Sequence, residues 1–489
     1  MNRTTFVYGS TILIMTMLLF ILDASLLSAA DRPNRSAPAQ VVSEGLNVQQ
    51  HLERQAELSQ RLLGELPRTA AERTVRLSLS PEEVATIDRT SRSSVPLRIG
   101  IVKSISPVIE VRDVTRRTFE RETVHVKGGV GAPTREGGFV WAAILNSENA
   151  GGMRIHIQNM SLPNGVELYL YSRNGQAYGP YLGKGPNGTG EFWTAMIFGT
   201  QAIVQFRGAS NADVRGLSLK IVDAGLITPN FARGLVDAAR PPKPTPGFCG
   251  NASCIVDATC YASATLQAAI AKIEWIQGAY IYTCTGGLLS DNNPTQSNFF
   301  LTANHCISKN NNAQNANFYW RFATSTCNGS CPSNNGWPYI TTGSTVSVTG
   351  RKGDFSLLHL NTSPPSGSTL LGWTNVAVAN TNGAALKRVS NPGFGPQVYS
   401  EHSVDTSAGT CSGWPRGERI YSRDTLGAID GGSSGSPVLN SNGQVVGQLS
   451  GTCGLNPTAV CSSGPGEDNA TVDGALAFYY SQVQPIIDP

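Results

Sequence analysis

The amino-acid sequence predicts an all-β protein, in which a β-sandwich and a second all-β domain follow a partly helical leader. Its 489 residues are too many for one ordinary core and indicate two or three folded units. Glycine is abundant, with 52 residues, and only 15% of the residues are charged, a composition that favours loop-rich β domains over helical bundles. The 10 cysteines all lie after residue 248, which sets the C-terminal half apart.

The N-terminus has the pattern of a signal peptide over residues 1–30. Arg3 gives a positive start, Ile12–Leu22 is a short apolar stretch, and Ser28–Ala30 offers small residues for cleavage. The alternative of an uncleaved anchor is disfavoured, because Asp23 ends the apolar stretch well short of the ~20 residues that a membrane span needs. We therefore expect an exported, extracellular protein with no stable membrane anchor.

Residues 31–94 are predicted to form a partly helical pro-segment that is not a domain by itself. Apolar residues recur at roughly helical spacing over Leu46–Leu66. A second short helix is expected to begin after Ser80, with Pro81 at its first position and acidic residues in its first turn.

Residues 95–226 are predicted to form a β-sandwich pro-domain. Polar and apolar residues alternate in Met153–Gln158 and Val166–Tyr171, and Ala202–Phe206 is a further strand candidate. We assign the pair Phe192–Trp193 to the core, with a sugar-binding platform as the alternative. The Pro-rich linker that follows, at 227–247, is expected to be stiff, exposed and suited to proteolytic processing.

Residues 248–489 contain every cysteine and are predicted to form the second all-β domain. A helix is expected over Thr265–Trp275, and a strand followed by a helix near Leu476–Ile487. An even number of cysteines in one half of an exported chain indicates disulfides. Cys327 and Cys331 have a ligand-like spacing, but no second pair with a nearby histidine follows them, so no metal site is predicted.

Three short motifs in this domain predict a nucleophilic site. His305 follows an apolar strand, whose end would hold a base rigidly. Asp354 begins another apolar strand, where a buried carboxylate is costly unless it accepts a hydrogen bond, for example from an imidazole N–H. Ser434 lies among small residues, and the backbone N–H groups of Gly432 and Ser434 would form an oxyanion hole. Taken singly, each motif has an ordinary alternative as a loop histidine, a turn aspartate or a flexible loop.

The order of these residues along the chain separates the possible folds. Ser433 would be the nucleophile of a G-x-S-x-G elbow, but that fold places its histidine after the serine, and the last histidine here is His402. The order Asp, His, Ser would require an upstream aspartate such as Asp291. The order His305, Asp354, Ser434 fits the chymotrypsin arrangement directly.

Together these motifs resemble the trypsin-like serine peptidases, and especially the secreted bacterial lysyl endopeptidases. The motifs that carry the resemblance are Leu301–Cys306, Asp354–Leu358 and Gly432–Pro437. The resemblance implies a chymotrypsin-like double β-barrel over residues 248–489, preceded by a large pro-region. It also implies disulfides that join Cys284 to Cys306, Cys260 to Cys327, and Cys254 to either Cys453 or Cys461.

Two departures from the lysyl endopeptidase pattern bear on substrate choice. Ser450 stands where those enzymes have a histidine, and Thr471 aligns with their lysine-selecting aspartate, with Asp468 and Asp473 nearby. Lysine specificity is therefore not supported, and a neutral pocket is expected around Thr471 and Ala428. The segment Ser450-Gly451-Thr452 is expected to present an edge on which the substrate pairs as a strand.

The resulting expectation is a secreted serine endopeptidase, made as a precursor, that cuts protein or peptide substrates as a monomer. No metal or cofactor is needed for this chemistry. Nucleic acid is not an expected partner, because the net charge is only +3 and the chain has no long basic run. The alternatives are a non-catalytic binding protein or adhesin on the same barrel, and an esterase that uses the same triad.

Overall fold

The computed structural model supports the predicted mainly β fold and adds a connection between its parts. The predicted signal peptide and nearly all of the Pro-rich linker lie outside the described residues. None of the helices within the described part of the chain is long and apolar enough to cross a membrane. The structure describes residues 33–42, 47–91, 94–120, 122–126, 128–229, 248–293, 296–332, 339–393 and 395–489.

The leader contains short strands and two helices, and each helix begins at a capping residue. Asn47 accepts hydrogen bonds from the first turn of the first helix. At the second, Ser80 Oγ accepts from Glu83 N at 3.1 Å and the Glu83 carboxylate accepts from Ser80 N at 2.8 Å, a reciprocal cap. The elements are β1 (Ser36–Ala37), β2 (Gln40–Val41), α1 (Val48–Glu65), a 3₁₀ helix (Arg68–Arg73), β3 (Val75–Arg76) and α2 (Pro81–Ser91).

The next strands form the two sheets of a β-sandwich. They are β4 (Leu97–Val111), β5 (Thr123–Val126), β6 (Gly129–Pro133), β7 (Phe139–Asn146), β8 (Gly152–Ser161), β9 (Val166–Tyr171), β10 (Ala177–Tyr181), β11 (Phe192–Trp193), β12 (Ile197–Phe198), β13 (Gln201–Gly208) and β14 (Ser218–Ile227). One sheet has the order β10-β9-β13-β7-β6-β5, and the other joins β11 and β12 to β8-β14-β4. Phe192 is buried in the shared core, as expected, whereas Trp193 stacks on His156 with ring centroids 4.5 Å apart.

A first barrel follows, preceded by a short strand and two short helices. Its elements are β15 (Val256–Asp257), α3 (Ala258–Tyr261), α4 (Ala264–Ala269), β16 (Ile270–Gln277), β17 (Tyr280–Leu289), β18 (Phe299–Ala303), α5 (Asn310–Gln314), β19 (Asn317–Trp320), β20 (Tyr339–Thr342), β21 (Ser344–Gly350) and β22 (Phe355–Leu360). At Gly343 one strand changes partner, since β20 pairs with β19 and β21 pairs with β22. The other pairs are β16–β17, β17–β18, β18–β22 and β16–β19, so these strands form a half-barrel whose two ends are joined through the chain at Gly343.

The second barrel is closed by strand pairing and is followed by a helix. Its elements are β23 (Thr369–Leu370), β24 (Trp373–Thr374), β25 (Ala385–Ser390), β26 (Val398–Val404), β27 (Arg419–Leu426), β28 (Pro437–Asn440), β29 (Val445–Cys453), β30 (Ala470–Ala475) and α6 (Leu476–Ile487). The barrel strands follow the order β28-β25-β26-β27-β30-β29, and β29 pairs again with β28. The double-barrel fold expected from the resemblance is confirmed.

The helix expected over Thr265–Trp275 is wrong in its second half. The helix ends at Ala269, and Ile270–Gln277 is strand β16, which pairs with β17 on one side and β19 on the other. Three isoleucines and a tryptophan in this segment suit a strand, and a position with a partner on each side outweighs the helix propensity of the alanines before it.

The part of the chain before the linker contacts both barrels. Strand β4 of the sandwich pairs antiparallel with β17 of the first barrel, so the two form one continuous sheet. The leader strands β1 and β2 pair with β24 and β23. Close to β1, Arg35 donates to the Asp488 carboxylate at 2.6 and 2.7 Å, just beyond the end of α6.

Candidate active site

His305 and Asp354 are brought together by the pairing of the strands that carry them. His305 follows β18, Asp354 precedes β22, and Ala303 at the end of β18 lies opposite Phe355. The His305 Nδ1–H donates to Asp354 Oδ2 at 2.8 Å, and the His305 backbone N–H donates to Oδ1 at 3.0 Å. Both carboxylate oxygens are therefore satisfied although Asp354 is only 8% exposed. This arrangement fixes the proton on Nδ1 and leaves Nε2 as the basic nitrogen.

Ser434 lies at the same end of β18, where the two barrels meet. Its carbonyl accepts a hydrogen bond from Thr285 N at 2.8 Å and contacts Cys306 Sγ at 3.7 Å. That sulfur is within 4.8 Å of a ring nitrogen of His305. The Nε2 atom of His305 is buried and has no hydrogen-bond partner among the described residues. It is thus free to accept a proton.

The loop before β28 presents Ser434 and hides its neighbour Ser433. Ser433 is fully buried, and its hydroxyl accepts from Ser390 Oγ at 3.0 Å, whereas Ser434 is half-buried. Gly435 has a φ of +81°, and a Cβ there would lie 2.2 Å from Thr302 Oγ1, so only glycine fits. Ser434 is therefore the more accessible of the two serines, for a reason independent of the order of the histidines.

The candidate oxyanion hole depends on the orientation of one peptide group. The Gly431 carbonyl accepts from Gly393 N at 2.7 Å. In a planar trans peptide the C=O and the following N–H point in opposite directions. The Gly432 N–H therefore points away from the Gly393 loop. A Cβ on Gly432, which has a φ of +98°, would lie 2.6 Å from Gly393 N, so this close approach also requires glycine.

Five disulfides link the cysteines of the two barrels. Two of them, Cys284–Cys306 and Cys260–Cys327, join the pairs that the family resemblance implies. Cys254 pairs with Cys461, one of the two partners left open. The pairs that the sequence left unassigned are Cys249–Cys331 and Cys411–Cys453. Cys284 and Cys306 lie beside His305 at metal-like distances, but both sulfurs are used in their disulfide.

The predicted substrate edge, Ser450–Thr452, lies in β29. On one side this segment pairs with β30, with Gly451 opposite Val472 and Thr452 opposite Thr471. On its other side, β28 pairs with β29 only from Val445 to Gln448. Ser450 is buried, and its hydroxyl has no partner among the described residues. The remaining edge is therefore suited to pair with an extended chain.

A carboxylate that the sequence analysis did not consider lies directly beside Thr471. Thr471 Oγ1 donates to Asp424 Oδ1 at 2.7 Å, and Asp424 Oδ2 has no hydrogen-bond partner among the described residues. Asp473 is neutralised by a bidentate contact with Arg388, at 2.7 and 2.9 Å, and Asp468 is exposed. The expectation of a neutral pocket did not take Asp424 into account. In the sequence this residue is marked only as the single acidic residue of the strand Arg419–Leu426.

Asp424 is also part of a second His–Asp pair, which is wholly internal. His402 Nδ1–H donates to Asp424 Oδ1 at 2.7 Å, while His402 Nε2 accepts from Arg388 Nε at 3.1 Å. Because arginine only donates, Nε2 is the accepting nitrogen of His402 and Nδ1 is the donating one. The side chains of His402 and Arg388 are completely buried, so they lie in the interior of the second barrel.

The two barrels, with the His–Asp pair and the Ser434 loop at their junction, define the chymotrypsin-like fold class. Residues 249–468 match the family described as lysyl endopeptidase, C-terminal domain. The lysyl endopeptidase of Pseudomonas aeruginosa is 28% identical over 310 residues, which are 61% of this chain and 64% of that protein. The chain thus spans just under two thirds of that relative's length. The resemblance to the lysyl endopeptidases within the trypsin-like serine peptidases is confirmed.

Similar solved structures are more distant. The HtrA-type protease AlgW with a tripeptide has a TM-score of 0.32 and 13% identity, and covers 46% of this chain and 62% of its own. The active form of the Rv3671c protease of M. tuberculosis has a TM-score of 0.31 and 17% identity, and covers 51% and 93%. The MamO protease domain of Magnetospirillum magneticum has a TM-score of 0.30 and 14% identity, and covers 45% and 98%.

Proposed function

We propose that this protein is an exported serine endopeptidase, made as a precursor, that hydrolyses peptide bonds through an acyl-enzyme. The observation that carries the proposal is the His305–Asp354 pair, at 2.8 Å, beside the loop that exposes Ser434 and buries Ser433. The similarity to a lysyl endopeptidase supports a peptidase, and five disulfides support an oxidising compartment outside the cytosol.

In the proposed mechanism, Ser434 Oγ attacks the peptide carbonyl and His305 Nε2 takes the hydroxyl proton. His305 then returns this proton to the leaving amine, and a water molecule hydrolyses the acyl-enzyme by the same route. Asp354 keeps the imidazole oriented and stabilises the imidazolium that forms. Its two oxygens accept the backbone N–H and the Nδ1–H of His305, so the carboxylate and the imidazole keep a fixed relative orientation.

The negative charge that develops on the carbonyl oxygen would be held by the backbone N–H groups of Gly432 and Ser434. In comparable sites each such donor lowers the activation free energy by about 3–4 kcal/mol. The orientation of the Gly431–Gly432 peptide group supports this role, since its carbonyl is already bonded to Gly393 on the far side.

Proteins and peptides are the proposed substrates, and their acyl side would pair with Ser450–Thr452. Thr471 would lie in the side-chain pocket with Asp424 behind it. We do not assign lysine specificity, because Ser450 and Thr471 replace the residues expected for it. The proposed enzyme acts as a monomer.

The direct test is labelling of the folded chain with a serine-directed phosphonate, read by mass spectrometry. We expect one modified residue, Ser434, and no modification in Ser434→Ala. The matched control is Ser433→Ala, which removes the neighbouring buried hydroxyl and should still be labelled. Absence of labelling at Ser434 in the folded protein would overturn the proposed function. A peptide-library digest then separates a peptidase from an esterase.

A further inference from the structure

Strand β4 of the sandwich covers one edge of β17, the strand that leads to the candidate active site. The pairing is antiparallel, with Leu97 opposite Thr283, Arg98 opposite Tyr282 and Ile101 opposite Tyr280. Two residues beyond Thr283, the backbone N–H of Thr285 donates to the carbonyl of Ser434. The covered edge therefore ends at the nucleophile.

The first residue of β4 reaches the oxyanion loop itself. A Cβ on Gly431 would lie 3.1 Å from Leu97 Cδ1, so the leucine side chain rests on the glycine next to Gly432. Leu97 is buried there in a cluster with Ile281 and Phe322 of the first barrel. An extended chain on this edge thus places an apolar side chain beside the reacting centre.

The next residue, Arg98, lies on aromatic rings. Its guanidinium carbon is 3.8 Å from the ring centroid of Tyr280 and 5.9 Å from that of Tyr282. Tyr282 is in turn stacked on the fully buried Trp275, with centroids 5.7 Å apart. Within the described residues the structure records no salt bridge to Arg98. The tyrosine rings are therefore a preformed surface for a cation.

The position of the β17 edge relative to Ser434 corresponds to the leaving-group side of a bound substrate. The acyl side of a substrate is proposed to lie along β29 in the second barrel, on one side of Ser434. A chain that continues in extended form past Ser434 runs onto the first barrel, where β17 offers the adjacent edge. β4 pairs with β17 antiparallel by backbone hydrogen bonds, which is the way a bound peptide would pair.

We propose that the Tyr280–Thr283 edge of β17 binds the leaving-group side of the substrate, with an arginine or lysine seated on Tyr280 and Tyr282. In the intact chain β4 fills this site and competes with substrate there. This inference rests on the proposed endopeptidase function. It names a binding site and the chemical class of side chain that the site prefers.

The test compares two probes on the full-length chain. A small serine-directed phosphonate needs only the acyl side, whereas a quenched ten-residue peptide needs both sides. We expect Arg98→Glu to weaken the hold of β4 and to raise kcat/KM for the long peptide about tenfold, with the rate of phosphonate labelling unchanged. The matched variant Arg98→Lys keeps the charge and should stay close to the wild type. Arg98→Ala provides a second, milder disruption with the same direction of effect.

The second arm measures the preferred side chain in the Arg98→Glu background. Peptides that differ only by arginine or glutamate in the first three leaving-group positions should differ about fivefold in kcat/KM, in favour of arginine. Tyr280→Ala should remove this preference, and Tyr280→Phe, which keeps the ring, should restore it. Normal phosphonate labelling without a gain for the long peptide, or without an arginine preference, would overturn this inference and leave the proposed function standing. Absence of labelling would overturn both.

Discussion

At the scale of single residues, Arg388, His402, Asp424 and Asp473 of the second barrel are buried and are linked to one another by hydrogen bonds. Arg388 and Asp473 have side chains that are 0% exposed. Arg388 also donates to His402, which holds Asp424. Removing these charged groups from water costs free energy, and this cost is offset by the hydrogen bonds that the groups make with one another. Arg388 Nη1 also donates to Ser436 Oγ at 3.5 Å, so the network contacts the Ser434 loop from the interior of the barrel.

Replacing Asp354 should separate catalysis from folding. In Asp354→Asn the amide can no longer hold the proton on His305 Nδ1, so the basic nitrogen is lost, and kcat/KM should fall about 10⁴-fold. The steady-state rate on a peptide substrate measures this effect. Thermal unfolding serves as the control, and a variant that retained more than a tenth of the activity would contradict the role given to Asp354.

Breaking the buried ion pair should act on stability. Arg388→Met leaves Asp473 buried without its partner, and we expect a loss of about 3–5 kcal/mol in the free energy of unfolding. Urea titration followed by tryptophan fluorescence measures it. The double variant Arg388→Met/Asp473→Leu should recover most of the loss, because no unpaired charge then remains. Equal losses in the single and double variants would rule out this explanation.

At the scale of elements, short strands from distant parts of the sequence pair with one another. β1 and β2 are only two residues each, yet they pair with β24 and β23 more than 300 positions away. The contact is strengthened by Arg35, whose guanidinium meets the carboxylate of Asp488. Although burial opposes ionisation of Asp488, hydrogen bonds from Arg35, Tyr480 and Asn292 hold its pKa at about 2.

This depressed pKa predicts an acid-sensitive attachment of the leader. Between about pH 4 and pH 2 the unfolded Asp488 binds more protons than the folded one, since its ordinary pKa is 3.8. The stabilisation is therefore complete above this window and is lost as the pH falls through it. Asp488→Asn should flatten this part of the stability profile, as measured by unfolding at several pH values. An unchanged acid slope in the variant would show that other carboxyl groups account for it.

Sequence reasoning was most successful where local chemistry decides the outcome. The helix that begins at Pro81 and the strand alternation of Val166–Tyr171 depend on near neighbours, and the structure has both where they were expected. The helix over Thr265–Trp275 failed because partners on both edges of β16 decide its conformation. Asp424 was missed because its significance arises from Thr471, 47 positions away.

At the scale of the whole molecule, the sandwich and the barrels share an interior. Arg154 of β8 is fully buried and donates to Thr194 O at 2.9 Å and, in the first barrel, to Asn315 O at 2.5 Å. Burial lowers the pKa of this guanidinium, with Tyr319 and Glu274 opposing that effect. Neither this contact nor the β4–β17 pair can be predicted from a local sequence pattern. Each joins two surfaces that would be exposed to water if the sandwich and the barrels were separate domains.

Processing of the precursor is expected to depend on its own active site. If the chain cuts itself within the linker predicted at 227–247, purified Ser434→Ala should stay at full length under conditions in which the wild type is cleaved. Gel electrophoresis with N-terminal sequencing of the products measures this. The same cut in the Ser434→Ala variant, with no other peptidase present, would show that another enzyme performs it.

The part of the chain before the predicted linker is attached to the barrels at two separate places, and this has a consequence for the proposed cleavage of the linker. β1 and β2 pair with β24 and β23, and β4 pairs with β17 of the first barrel. A fragment released by a cut in the linker would therefore remain bound at two places. When one of the two contacts dissociates, the other keeps the fragment at a high effective concentration, so the first contact forms again before the fragment dissociates completely. If the proposed cleavage occurs, it would create a tight two-chain complex, and the proposed activity would rise as the two fragments dissociate. Simple dilution of the nicked protein, or digestion of the loosened fragment, would therefore act as the final trigger.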